Sequence, residues 1–320
     1  MKSYIIYILI ALTIFSCNNE DKVETEITKL ETNVVIERFD KAFVETPISE
    51  LPKLKKAFPF MFPKKYKDTF WIVQKQDTLQ IELHEETNKA FKSLKKEKIE
   101  IEDLFKHLKY YFKGFKEPRV VTTTSSVDYR NKVIVTDTIT LISLDTYLGE
   151  KHHFYEGIQN YIRVNMDPGQ IVVDLAEKYA EKNIYQAKRK TLLDEFIYTG
   201  KILYFKDKMI PFKTDAEKIG YTEAQLDWAR VNEEYIWRYF VDRELLYSTD
   251  SKLPNRFINP APFSKFYLEE IDVDSPGKIG QYIGWQIVRA FMKNNDVTLQ
   301  EMLNETSENI FNKAKFKPRR

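Results

Sequence analysis

The chain of 320 residues has one cysteine, Cys17, nine glycines, four histidines and a formal charge of only +2. Each scarcity excludes something. A lone cysteine allows no disulfide within the chain, so an exported form would have to be held together by its core. Few glycines argue against a mainly β architecture, and neither a Walker nor a dinucleotide glycine pattern occurs. No G-x-S-x-G elbow is present, which removes the α/β-hydrolase nucleophile. The histidines, His84, His107, His152 and His153, contain no i, i+4 pair, so two of them cannot share one helix face on a zinc ion. Basic and acidic residues nearly balance, 50 against 48; no net field favours nucleic acid. Long apolar runs are missing everywhere except at the start.

That start is informative. Lys2 precedes an apolar stretch, Tyr4 to Phe15, followed by Ser16 and Cys17. A positive beginning, an apolar core and a small residue before the cleavage point describe a secretory signal. The stretch falls short of the roughly twenty residues that a spanning helix needs. Ile14-Phe15-Ser16-Cys17 reads as a lipobox, in which Cys17 is lipidated and becomes the mature N-terminus. An ordinary cleaved signal with an idle cysteine, or a short membrane anchor, are the other readings of this segment. One acyl chain binds a membrane marginally, whereas the two or three chains of a lipoprotein hold it stably. The expected division is a signal peptide over 1–16, a flexible polar tether over 17–33 and a globular domain over 34–320. Sixteen extended residues from Asn18 to Asn33 would reach at most about 50 Å.

The domain reads as α+β: helix-dominated, single, with a small central sheet. Val34 to Asp40 is a short extended run, and helical spacing dominates from there to Phe115, with breaks at Pro59 and Pro63. Arg119 to Leu144 is rich in β-branched residues and alternates, which predicts a small sheet or meander. Helices are expected over Asp174–Ala187, Thr191–Phe205 and, as one long element, Thr222–Leu246, with Gln225 at the capping-box position after Thr222. Ser275-Pro276-Gly277 opens a helix running to about Asn294, two shorter helices follow, and the basic end KAKFKPRR is expected to fray. The 22 Phe, 19 Tyr and 4 Trp supply a large core, with Trp228, Tyr235, Trp237 and Tyr239 mostly inside it.

Three stretches stand out together: Asp145-Thr146-Tyr147-Leu148-Gly149 followed by His152-His153; Thr191 to Lys201 with Asp194 and Glu195; and Ser275 to Val288 with Gly277, Gly280 and Gly284. In this order, and with the lipobox ahead of them, they resemble the GldB family of gliding-motility lipoproteins of Bacteroidetes over essentially the whole chain. The resemblance implies a membrane-anchored role in gliding and in type IX protein secretion, with other machinery proteins as partners and no cofactor. The implied location is the cell envelope, at the outer membrane more than the inner, facing periplasm or surface. Glu20-Asp21 resembles the acidic export signal of some surface lipoproteins.

The same layout is remotely zincin-like. A zinc peptidase carries His-Glu-x-x-His on its active helix, and the corresponding segment here is Asp194-Glu195-Phe196-Ile197-Tyr198. Glu195 stands at the general-base position, while Asp194 and Tyr198 replace the histidines. These three are the vestigial catalytic candidates; no metal or cofactor site is expected. A non-enzymatic scaffold is the leading reading, and a hydrolase or peptidase with an atypical site around Asp194 and Glu195 is its alternative. A carbohydrate- or peptide-binding lipoprotein rests on aromatic content alone. His152-His153 is expected to be a polar loop pair. The glycines are costly inside a helix, by up to about 1 kcal/mol each, which points to close helix packing more than to ligand approach.

Overall fold

The β-branched runs between Arg119 and Leu144 and the extended run before Asp40 meet in one four-stranded sheet. The computed structural model describes residues 21–185 and 189–320; the signal segment, Cys17 and the start of the tether lie outside them. Strands β1 (Ile36–Arg38), β2 (Arg119–Thr123), β3 (Val133–Val135) and β4 (Ile139–Ser143) lie in the order β1-β2-β4-β3. β1 is parallel to β2 and β2 to β4, so that Val120 faces Ile36 on one side and Thr140 on the other. β3 is the antiparallel edge, with Ile134 opposite Leu141. A plain meander is therefore not formed: β4 slots between β2 and β3. The physical reason is burial. Parallel strands are stable where both faces are covered, and β2 and β4 carry apolar residues on both, whereas β3 is short and leaves Ile134 exposed, as suits an edge.

Successive strand residues point to opposite faces, and this alternation divides the core. Val121 joins Phe39, Leu51, Leu54, Phe58 and Phe62 in a small aromatic cluster. That cluster is covered by helices α1 (Phe39–Glu45), α2 (Leu51–Ala57) and α3 (Asp68–Gln76), with Trp71 edge-on to Phe62 at 4.9 Å. Val120 and Ile142 face the other way, into the main core. Helices α4 (Thr78–Ala90), α5 (Lys95–Tyr111), α6 (Ile171–Asn183) and α7 (Leu192–Met209) follow, then α8 (Asp215–Ile219), α9 (Glu223–Val231) and α10 (Glu233–Asp242). The chain closes with α11 (Ile279–Asn294), α12 (Leu299–Asn304) and α13 (Ser307–Ala314). The fold is thus helix-dominated α+β.

Capping chemistry sets many of the helix starts. Thr191, Thr214, Thr222 and Thr298 each accept a backbone N–H three residues on, and the side chain at that third position answers in return. These reciprocal bonds satisfy donors that a helix start leaves free. The single helix expected from Thr222 to Leu246 is broken in two at Asn232, whose side-chain amide donates 2.9 Å to the carbonyl of Trp228, the carbonyl that also accepts the Asn232 N–H. Tyr235, expected inside, is exposed on α10.

The centre of the molecule is the crossing of α7 and α11, the most extensive contact between elements. A Cβ on Gly200 would fall 2.3 Å from the carbonyl oxygen of Gly284, and one on Gly280 would fall 2.4 Å from the Phe196 ring. Close packing is thus what the helix glycines serve.

Both ends of the domain are tied down. The expected tether over 17–33 is not free along its described part: residues 21–28 are helical and Ile27 is buried. Glu24 reaches His107 at 3.3 Å and Lys109 donates 2.7 Å to the carbonyl of Glu31, docking the segment along α5. The free reach is correspondingly shorter. The C-terminal stretch, expected to fray, is held because Phe316 packs edge-on against Trp237 at 5.3 Å and the Arg319 N–H donates 2.9 Å to buried Glu233. Among the described residues no helix is long and apolar enough to cross a membrane.

Candidate functional site

Asp194, Glu195 and Tyr198 all lie in the first two turns of α7, so the structure does bring them together. Asp194 completes the helix cap: its Oδ2 accepts the N–H groups of Lys190 and Thr191, each at 3.0 Å. Burial would raise this carboxyl, but the Thr191 and Lys190 N–H groups and the Ser307 hydroxyl outweigh it and hold the pKa below the usual carboxylate range. Glu195 is clamped by the Arg189 guanidinium, whose Nε donates 3.2 Å to Oε1 while Nη2 donates to Oε2. The same guanidinium lies 3.8 Å from the centroid of the Tyr198 ring. Burial pushes the Tyr198 phenol up, so it stays protonated. Tyr198 is therefore a stacking platform, Glu195 an ion-pair acceptor and Asp194 a cap. Both carboxylates are engaged in this arrangement.

The Asp145-Thr146-Tyr147-Leu148-Gly149 stretch sits where β4 ends. Asp145 is fully buried and accepts the N–H groups of Ser125, at 3.0 Å, and Val127, at 2.7 Å, pinning the loop after β2. Burial raises its carboxyl even so. Tyr155 locks the next turn by donating 2.8 Å to the Asp145 carbonyl and accepting the Leu148 N–H at 2.8 Å. His152 and His153 stack on each other and reach Glu86 and Glu82 of α4, at 3.2 and 3.4 Å. They tie loop to helix, as a polar pair would. Among the described residues no group of three or more His, Cys, Asp or Glu is placed to hold a metal ion.

A second constellation escaped the sequence reading. Tyr147 donates 2.7 Å to Asp174 on α6, and Lys132, just before β3, pairs with the same carboxylate oxygen. One turn further along α6, Glu177 accepts from Lys206 of α7 at 2.6 Å. Burial alone would raise Glu177, but the ammonium groups of Lys206, Lys278 and Lys178 outweigh it and pull the pKa down to about 2. Asp174, Glu177, Lys132, Lys178 and Lys278 line a cavity of about 440 Å³ beside the sheet edge. Glu177 keeps 42% of its side-chain surface exposed. Behind it runs an ion-pair network: Arg289 grips Asp207 and Asp215 bidentately, with all four contacts at 2.8–2.9 Å, and Trp285 donates 2.9 Å to Asp207. The only local signal for these residues was polar side chains recurring on otherwise apolar helices, which a solvated face explains equally well.

Fold and site together define a helix-dominated α+β domain whose central polar groups are largely neutralised by one another. Residues 20–318 match the family model described as gliding motility protein GldB, and the chain belongs to that family. No curated protein and no solved structure matches it. Membership ties the chain to gliding motility and, through the lipoprotein character of the family, to the cell envelope.

Proposed function

We propose that the protein is lipid-anchored at Cys17, serves gliding motility and the associated type IX secretion, and works by binding other envelope proteins without catalysis. Family membership supports the gliding role, and the lipobox supports the anchor. The observation that carries the non-enzymatic part is the occupation of all three peptidase-like positions, Asp194 by the helix cap and Glu195 and Tyr198 by Arg189. A zinc-peptidase general base must face a metal-bound water, and Glu195 faces a guanidinium. The outer membrane is the proposed site of attachment, by the same family reasoning.

The anchor is tested by Cys17→Ala. Lipid and stable membrane association should both disappear, because the acyl chains supply the binding free energy. Protein that stays in washed membranes at the wild-type level would refute the lipid anchor. For the partner-binding part, crosslinking of the tagged chain in cells should recover gliding or secretion proteins; recovery of none would remove the reading's basis.

A further inference from the structure

The cavity between the sheet edge, α6 and the turn before α11 contains two cations, Arg130 and Lys278, that have no carboxylate within ion-pairing distance among the described residues. Four basic side chains line it, Arg130, Lys132, Lys178 and Lys278, against two carboxylates, Asp174 and Glu177. Lys132 is answered by Asp174, Lys178 by Glu181 at 2.8 Å, and Lys206 behind the wall by Glu177 at 2.6 Å. The exposed Arg130 has no carboxylate within ion-pairing distance among the described residues, and neither has the less exposed Lys278. The Lys278 ammonium donates to the carbonyl of Ile219 and lies 5.4 Å from the centroid of the Tyr221 ring. Burial, and then the nearby ammonium of Lys206, lower its pKa to about 8 in spite of Glu177 and Asp174. At neutral pH it is mostly charged.

The backbone presents this lysine deliberately. Lys278 adopts φ 60° and ψ 25°, a left-handed conformation that non-glycine residues take only when their surroundings impose it. The preceding turn is fastened on three sides. Ser264 donates 2.7 Å to the Pro276 carbonyl, Ser275 donates 3.0 Å to the Ser264 carbonyl, and Tyr221 donates to the Gly277 carbonyl. Gly277 itself lies against the Ala261 backbone, so close that a Cβ would fall 2.2 Å from its oxygen. Apolar and aromatic residues, Tyr129, Tyr161, Ile162 and Pro260, line the same cavity. A cavity of about 440 Å³ lies within the range that small-molecule sites occupy.

We propose that this cavity binds a small organic anion, whose carboxylate or phosphate pairs with Lys278 and whose apolar body rests on Tyr129, Tyr161, Ile162 and Pro260. The exposed Arg130 at the rim adds attraction for the same charge. This site shares no lining residue with the peptidase-like positions on α7 and does not depend on the non-enzymatic reading.

The test uses the full chain in detergent, with thermal unfolding followed in benzoate, acetate and inorganic phosphate against chloride at equal ionic strength. A ligand that binds only the folded state raises Tm saturably. Benzoate should raise it by a few degrees and acetate by less; Lys278→Met should abolish the response and Lys278→Arg should retain it. A larger response to phosphate than to acetate would assign the head group as phosphate. No response to any of the three, or an undiminished response in Lys278→Met, overturns the site. Equal responses to benzoate and acetate overturn its apolar wall. Because Lys278→Met could misfold, the wild-type chain is also acylated at pH 8 and the lysines are read by mass spectrometry. Saturating benzoate should protect Lys278 about tenfold while leaving the exposed Lys53 and Lys96 unchanged; equal modification with and without it overturns the proposal.

Discussion

Gly284 of α11 presses on the backbone of Phe196 in α7: a Cβ placed there would lie 1.8 Å from the Phe196 carbonyl oxygen. No rotamer change can relieve that contact, since both atoms belong to helix backbones. Gly284→Ala should therefore push the two central helices apart. Overpacked cores usually lose about 1–3 kcal/mol, and a backbone clash lies at or beyond the upper end, so we expect a loss of at least about 3 kcal/mol by chemical denaturation. Gly114 is the control, because nothing lies within 4 Å of a Cβ there. Gly114→Ala should stay within about 0.5 kcal/mol, as surface changes do. Similar losses for the two variants would show that the helix crossing is looser than described.

The guanidinium of Arg289 neutralises Asp207 and Asp215 from the far end of the same crossing and stacks on Trp285 at 3.7 Å. Those carboxylates hold the Arg289 pKa above its already high ordinary value, against the effect of burial. Removing one partner of a buried ion pair costs about 3–5 kcal/mol because a charge is left uncompensated. Lys218 stays 3.1 Å from Asp207 and the site is partly open, so Arg289→Met should cost less, about 2–4 kcal/mol. Arg289→Lys keeps the charge but loses the bidentate geometry, and its denaturation midpoint should fall between wild type and Arg289→Met.

Acid sensitivity follows from Glu177. Its folded pKa is pulled down to about 2 from an ordinary 4.5, so between those values the unfolded chain binds more protons than the folded one. Stability from this group is present in full above pH 4.5 and is lost as pH falls toward 2. Other depressed carboxylates, among them Asp215 and Asp194, add to the same loss. Subtracting the Tm-against-pH curve of Glu177→Gln from that of wild type isolates the Glu177 part. The difference should be constant between about pH 5 and 7, below the titration of Lys278, and shrink below pH 5. A difference that does not depend on pH would mean that Glu177 is not held by Lys206 and its neighbours.

Glu195→Gln tests the non-enzymatic reading in cells. The substitution keeps the shape and a hydrogen-bond acceptor for Arg189 but removes the charge. The pair is partly exposed, with Arg189 well open to solvent, so the cost in stability should be about 1 kcal/mol or less. Complementation of a deletion strain should restore gliding to the wild-type level once protein abundance is matched. A normally abundant Glu195→Gln chain that leaves the cells unable to glide would bring catalysis back into consideration.

Features whose cause lies within a few residues are legible in the amino-acid sequence. Thr191 and Thr222 cap helices through bonds that span three residues, and the β-branched run from Arg119 to Leu144 becomes strands. The cost of Gly280 and Gly284 inside α11 required a close neighbour before any neighbour was known, and the proposed lipobox at Cys17 rests on four adjacent residues. The tertiary structure decided which surfaces meet. Nothing local places β4 between β2 and β3; the two-sided burial of β2 and β4 does. Lys206 finds Glu177 29 positions away and Arg289 finds Asp207 82 positions away, because the faces of α6, α7 and α11 that turn inward are chosen by packing the whole core at once. Asp194 and Glu195 looked like the remains of an active site, since a cap and an ion pair use the same carboxylates as catalysis does; only the positions of Thr191 and Arg189 distinguish them. Lys278, one lysine among many in the sequence, is set apart only by the fold, which lines a cavity with it and places no carboxylate within ion-pairing distance among the described residues.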